Sequence, residues 1–418
     1  QQGGIIGRID TSNAATPVLV DVYGYMTNVV VGSGVQLDQA LLLADLNDLN
    51  EAWWTTHITA IQTTIGWTFD AVSNFYHLDM LEIEVLPDGT AISTVEEFYL
   101  VATTGGSDTQ YYLAADLDFT GFTWTYVNYT FTGILNGNNK TISNLEITNA
   151  GDRAGIFSNA SGATISNIII DNVHITSTGR AGVLIGEVVN GTTVHLSNIK
   201  IINSSVTGNS GNGVGVLIGY ARGSAMLTNI IIGDSNAFNA NKNVALLAGR
   251  VDTVFDVSNI YLYGSEAKST SDSTDAGIGG LVGYTNHVAA EIIANLVVLE
   301  DITLDGRAVG ALVGYYRFGT LSVTDAFLNI DVVYDGTSSQ QGGIIGRIDT
   351  SNAATPVLVD VYGYMTNVVV GNGVQLDSEL LLADLNDLNE AWWTANIPVF
   401  TLSDDWVYDN ISSFYRHV

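Results

Sequence analysis

Along most of the chain, short runs of Ile, Val and Leu are cut at regular intervals by Gly, Asn, Ser and Thr. One run is a four-residue box, read as Gly155-Ile-Phe-Ser158, Val183-Leu-Ile-Gly186, Val216-Leu-Ile-Gly219 and Leu246-Leu-Ala-Gly249. It continues as Gly280-Leu-Val-Gly283, Ala311-Leu-Val-Gly314 and Gly343-Ile-Ile-Gly346. The last residues of successive boxes lie 28, 33, 30, 34, 31 and 32 positions apart. Between the boxes runs a second series, an Asn followed by an apolar stretch: Asn144, Asn167, Asn198, Asn229, Asn259 and Asn295, with Asp325 and Asp360 taking the Asn place in the last two repeats.

Runs of this length, rich in β-branched residues and bounded by turn formers, are strands. A period near 31 residues with at least two strands per repeat suits a stack of coils. Strands of successive coils then pair in parallel about 4.8 Å apart, and the boxes face inward to build one continuous core. The spacing predicts an all-β fold, a parallel β-helix solenoid with short capping helices, right-handed by the crossover rule. The Gly closing each box is read as a turn residue at positive φ. The Asn/Asp series is read as a structural ladder, each side-chain amide donating to one neighbour and accepting from the other.

A second repeat is much longer. Residues 1–55 return as 340–394, offset by 339, with only Ser33/Asn372, Gln39/Ser378 and Ala40/Glu379 differing. Trp67/Trp406 and Phe75-Tyr76/Phe414-Tyr415 stay in phase beyond that. Residues 1–84 are therefore read as the end of a preceding repeat unit: a last coil, a helix over 38–55 and a junction. Residues 85–418 are read as one complete unit, with an entry cap (85–135), coils (136–371), an exit helix (377–394) and a junction (395–418). The helix over 38–55 rests on Leu42, Leu46, Leu49 and Trp53 falling on one face, with Asp38 as N-cap. In the entry cap, Ser93 and Thr94 ahead of Glu96 and Glu97 read as a capping box. Residues 1–32 are read as coil residues that need a neighbour on their open edge, expected from further copies upstream or else from a neighbouring molecule stacked there.

The full chain has 418 residues and a net charge of −30, from 43 acidic and 13 basic residues. That balance excludes nucleic acid and anionic membrane surfaces as partners, since both demand Lys and Arg. With no cysteine, disulfides and thiolate metal sites are excluded. No apolar run is long enough for a membrane helix, and no signal peptide opens the chain at Gln1. Lysine occurs only at 140, 200, 242 and 268, and the six histidines show no metal spacing. No pair of carboxylates or basic residue marks a polysaccharide-cleaving site. The chain is thus expected not to be an enzyme and to hold no cofactor. Calcium is the one candidate ion, with Asp116 and Asp118, or Asp384 and Asp387, as donors. Trp53, Trp54, Trp392 and Trp393 are candidate glycan contacts through ring stacking, or else anchors of their helices to the solenoid.

Boxes such as Gly280-Leu-Val-Gly283 and Gly310-Ala-Leu-Val-Gly314 resemble the repeats of the GLUG-motif proteins of bacterial surfaces. The phrase Phe131–Leu145 resembles the opening of such solenoids, and Trp406–Asp409 the way they close. The likeness covers roughly 93–410, although Ser158 and Ala248 depart from the box. It implies a secreted or surface-attached bacterial protein, adhesive and repetitive. The expected function is a structural or adhesive unit of an extracellular surface protein, with tandem β-helical units building a fibre, stalk or filament. The alternative is a carbohydrate-binding or polysaccharide-cleaving β-helix. Expected partners are copies of the chain itself, by tandem linkage or end-to-end stacking, and surface glycans.

Overall fold

The computed structural model describes Ala52 and residues 67–70, 75–78, 88–106, 109–209, 211–333, 342–366, 373–375, 380–402 and 405–417. Trp53, Trp54, residues 1–32 and the helix expected over 38–55, apart from Ala52, lie outside these. The chain divides into two compact units, Gln1–Leu86 and Pro87–Val418. In the first, Trp67–Asp70 pairs antiparallel with Phe75–Leu78, Trp67 opposite Leu78. In the second, Trp406–Asp409 pairs with Phe414–His417, Trp406 opposite His417. The two hairpins keep one register at an offset of 339, so the long repeat extends past the point where its sequence identity fades.

The Pro87–Val418 unit is a parallel β-helix. Its longest face is a ladder of strands running from Ile134–Ser143 through Thr164–Asp171, Thr193–Ile202, Ser224–Gly233, Val254–Tyr263, Glu291–Asp305 and Thr320–Val333 to Val357–Thr366, each parallel to the next. The boxes feed a separate eight-stranded sheet, and a five-stranded sheet of very short strands lies between. The third box residue of each coil pairs with its counterpart above: Phe157, Ile185, Ile218, Ala248, Val282, Val313 and Ile345 form one column. Leu217, Leu247 and Leu312 are fully buried in the same core. Coil-on-coil stacking removes that apolar surface from water at roughly 25 cal/mol per Å², which only a stack of several coils can accumulate.

The box glycines work differently from expectation. None of Gly186, Gly219, Gly249, Gly283, Gly314 and Gly346 has positive φ. They are required by space: a Cβ on Gly219 would sit 2.6 Å from the Gly186 carbonyl oxygen and 2.8 Å from Ala181 backbone atoms. At the coil corners positive φ falls instead mostly on Asn and Asp, whose short polar side chains tolerate it by bonding locally.

The entry of the solenoid is closed by the helix Val95–Thr104. Thr94 caps it with a reciprocal Glu97 capping box, and Gly105 ends it in the left-handed region. Its Phe98 is buried against Phe119, Trp124 and Phe157, covering the first box of the column. Parallel pairing begins ahead of the expected coil region, with Thr90–Ile92 on Gln110–Leu113 and the latter on Ile134–Ser143.

Of the exit helix expected over 377–394, the described residues 380–389 are not α-helical, and only its end falls in a helix. Leu380–Leu382 instead pairs in parallel with the last coil, where Gly363 and Leu382 donate backbone hydrogen bonds to Leu380 and Gly363 respectively. Asp384 then caps a single 3-10 turn, Leu385–Asp387, and Asn389 caps the helix Glu390–Asn396, followed by Val399–Leu402. Two capping side chains five residues apart stop one helix and start another, overriding the apolar periodicity of the leucines.

Candidate functional site

The Asn series builds a column of amides along one edge of the coils. Asn167 Nδ2 donates to Asn136 Oδ1 (3.1 Å), Asn198 to Asn167 (2.7 Å), Asn229 to Asn198 (2.8 Å) and Asn259 to Asn229 (2.9 Å). Asn167, Asn198, Asn229 and Asn259 sit at φ between 53° and 56°. Asp325 and Asp360 occupy the same station further along, at φ 56° and 51°.

Two expected members lie elsewhere. Asn295 pairs with Ser258, so Leu296, at φ 56°, holds the station. Leu296 is buried among Tyr261, Phe327, Trp393 and Phe414; the amide is given up where the C-terminal segment packs on the shaft. Asn144 belongs to a second column, bonded to Asp118 Oδ1 (2.8 Å) and accepting from Asn172 (2.7 Å). Asn172, Asn203, Asp234, Gly264 and Asp301 continue it at positive φ. Beside it, the buried Ser204, Ser235 and Ser265 hydroxyls each accept a backbone N–H from the coil below. Both corners of a coil use the same Asn-apolar phrase, so local sequence cannot tell them apart.

Trp393 is fully buried, its Nε1 donating to the Ser413 carbonyl (2.9 Å) and its ring enclosed by Phe327, Phe400, Phe414 and Tyr415. It has no face for a sugar ring. Trp392 is half-buried, edge-on to Phe327 and Tyr362. The hairpin that follows is fastened through Arg416, which meets Glu300 Oε1 (3.0 Å) and Asp409 (2.9 Å), with the Tyr261 hydroxyl also donating to Glu300. The expected calcium donors are taken by hydrogen bonds: Asp116 accepts from Thr141 N and Asp118 from Asn144 across the coils, while Asp118 also accepts from Thr120, and Asp384 from Asn386, within local turns. Among the described residues no three His, Asp or Glu side chains gather as a metal would need.

The densest chemistry lies on the residue that follows each box. Glu187, Tyr220, Arg250, Tyr284, Tyr315 and Arg347 pair in register from coil to coil. The Arg250 guanidinium lies 4.7 Å from the Tyr220 ring centre and 5.6 Å from that of Tyr284, and Arg347 4.3 Å from that of Tyr315. Tyr284 and Tyr315 stack at 5.1 Å. Arg317 bonds the Tyr284 hydroxyl (3.2 Å) and Asn286 (2.9 Å). Glu187, 2% exposed, is met by Arg153 (3.1 Å), Arg180 and Arg222 (3.3 Å). Arg180 also forks onto Asp152 (2.7 and 3.0 Å). Burial alone would raise the Asp152 carboxyl, but hydrogen bonds and charge from Arg180, with Arg153, hold it below the usual carboxylate range. Burial, then the bond to Asp252, pushes the Tyr220 hydroxyl far above an ordinary tyrosine. Six of the chain's nine arginines meet this row, in a protein of net charge −30. A buried charge is tolerated only when paired and hydrogen-bonded; Glu187, Arg180 and Arg250 meet that condition, while Arg153 Nε is ion-paired with Glu187 but makes no hydrogen bond. The signal was present: after the Gly of every Gly-ended box stands Glu, Tyr or Arg, a position that repeats with the same period as the apolar box.

No family model matches the chain, so the GLUG-motif likeness of the boxes stands on those short motifs alone. The chain is 28% identical over 260 residues to the immunoglobulin A1 protease of Streptococcus sanguinis, covering 53% of this chain and 14% of that protein. It is 26% identical over 168 residues to halomucin of Haloquadratum walsbyi, covering 38% of this chain and 2% of that one. A crystal structure from Bacteroides ovatus, provisionally assigned as an immunoglobulin A1 protease, matches at 15% identity with a TM-score of 0.47, over 78% of this chain and 91% of that one. The chain thus spans only a small fraction of the curated relatives. The expectation that it is not an enzyme is corrected here: the relative sharing more than half of the chain carries the name of a protease. No helix among the described residues is long and apolar enough to cross a membrane.

Proposed function

We propose that the coils of this chain form a rigid β-helical shaft within a longer extracellular protein, one whose whole is of the immunoglobulin A1 protease kind. The observation that carries the shaft is the unbroken column from Phe157 to Ile345, with one box residue per coil in parallel register. Such a stack has no hinge, because each coil is held by its neighbours over several faces. The 339-residue repeat adds the tandem element: copies that differ at so few positions do one job repeatedly, as a spacer or adhesive filament does. The protease part rests on the relative's name, and a substrate such as an immunoglobulin would be met outside the cell.

Two measurements test the reading. Electron microscopy of chains with one, two and three repeat units should show rods that lengthen by a fixed step, near 40 Å of stacked coils per unit from the strand spacing. Rods whose length ignores copy number would remove the shaft. Incubation of the whole natural protein with immunoglobulin A1 should release fragments; an intact substrate removes the protease part and leaves the shaft.

A further inference from the structure

We propose that the β-helix carries a binding site for an acidic sugar unit, a saccharide ring bearing one carboxylate, in the cleft lined by Asn190, Tyr220, Arg222, Asp252, Thr253 and His287. The inference does not depend on the shaft or protease readings. The cleft encloses about 190 Å³, room for a single ring rather than an extended chain.

Charge counting locates the anion. Around Glu187 three guanidiniums (Arg153, Arg180 and Arg222) face two carboxylates, Glu187 and Asp152. Asp252 adds no net charge, being held by Arg250 through two contacts (2.9 and 2.8 Å) and by the Tyr220 hydroxyl. One positive charge is left over. Arg222 is its natural carrier: its link to Glu187 is the longest of the three, and 42% of its side chain is exposed. A guanidinium in that state offers a planar fork to a carboxylate.

The other walls offer neutral hydrogen bonds, as sugar hydroxyls need. The Thr253 hydroxyl is buried with no partner among the described residues, a costly state unless something fills it. His287 Nδ1 accepts from Ala289 N at 3.1 Å, which leaves Nε2 to carry the proton of the neutral ring as a donor. Asn190 supplies an amide, donor and acceptor together. An anion in so acidic a protein requires a local reason to bind, and the surplus guanidinium is that reason.

The experiment is calorimetric titration of the full chain with methyl β-D-glucuronide, methyl β-D-glucoside and inorganic sulfate. Binding of the glucuronide, with neither of the others, is expected. Arg222→Gln should weaken it about tenfold or more, the value of one charge-assisted contact, while Glu187 keeps two arginines and the melting profile stays cooperative. His287→Ala, at an exposed position, should weaken it several-fold and serves where Arg222→Gln does not fold. The proposal is overturned by a wild-type chain that ignores the glucuronide, by sulfate binding as well as the glucuronide does, or by both variants binding unchanged.

Discussion

At the scale of single residues, the division of labour between Asn and Gly decides the geometry of a coil. Asn229 accepts the left-handed backbone and spans two rungs. Replacing it by Ala loses both amide bonds and adds the left-handed penalty of about 1–2 kcal/mol; replacing it by Gly loses the bonds and keeps the backbone. Urea unfolding should therefore show Asn229→Ala less stable than Asn229→Gly by about 1 kcal/mol; equal values would mean that φ is not what Asn supplies. Asp325 is the converse case. Burial, and then the neighbouring Asp360, raises its carboxyl above the ordinary value, so its charged form is disfavoured in the fold at neutral pH. Asp325→Asn restores an amide at that rung, and a gain of ~0.5–1 kcal/mol is expected at pH 7, shrinking as acid protonates the wild-type carboxyl.

At the scale of elements, the box glycines are tested by Gly219→Ala, where the new methyl meets backbone at 2.6–2.8 Å. A loss of about 1–3 kcal/mol is expected. Gly211, with nothing within 4 Å of a built Cβ and no positive φ, should accept Ala without measurable change in the same assay. The coils themselves were legible in the sequence, because inward positions must repeat and Ile, Val and Leu are conspicuous. So was the entry helix, whose Thr94–Glu97 cap is a local signal. What was not legible depended on contacts distant in sequence. Asn144 and Asn295 carry the right local phrase at the wrong corner or one residue out of step, and only pairing with the next coil reveals it. The exit helix failed because Leu380–Leu382 pairs with Gly363, a competitor that no local pattern displays, while the caps at Asp384 and Asn389, which are local, were outweighed in the reading by the leucine periodicity. The Arg–Tyr row was readable in principle, one residue past each box, but its meaning comes from stacking.

For the whole molecule, buried tyrosines set an alkaline limit. Burial pushes Tyr316 up to about 12 from 10.0, and burial together with Glu300 raises Tyr261 further. Above pH 10 the unfolded chain loses phenol protons that the folded chain retains, so stability falls as pH rises. Their contribution is complete below pH 10 and declines from there towards the raised folded values. Thermal melts at pH 8, 10 and 11.5 should show a melting temperature steady to 10 and falling beyond it, alongside delayed phenolate absorbance; a flat profile to pH 11.5 would contradict the burial of these rings.

The basic residues tied into the row also bear on durability. A trypsin-like enzyme needs an extended, accessible Arg or Lys, yet Arg180 and Arg250 keep only 12% and 14% of their side chains open, and Arg250 and Arg347 lie within strands. Fastened into a stacked layer, Arg180 and Arg250 are poor substrates for such an enzyme, and limited tryptic digestion should cut at other sites first.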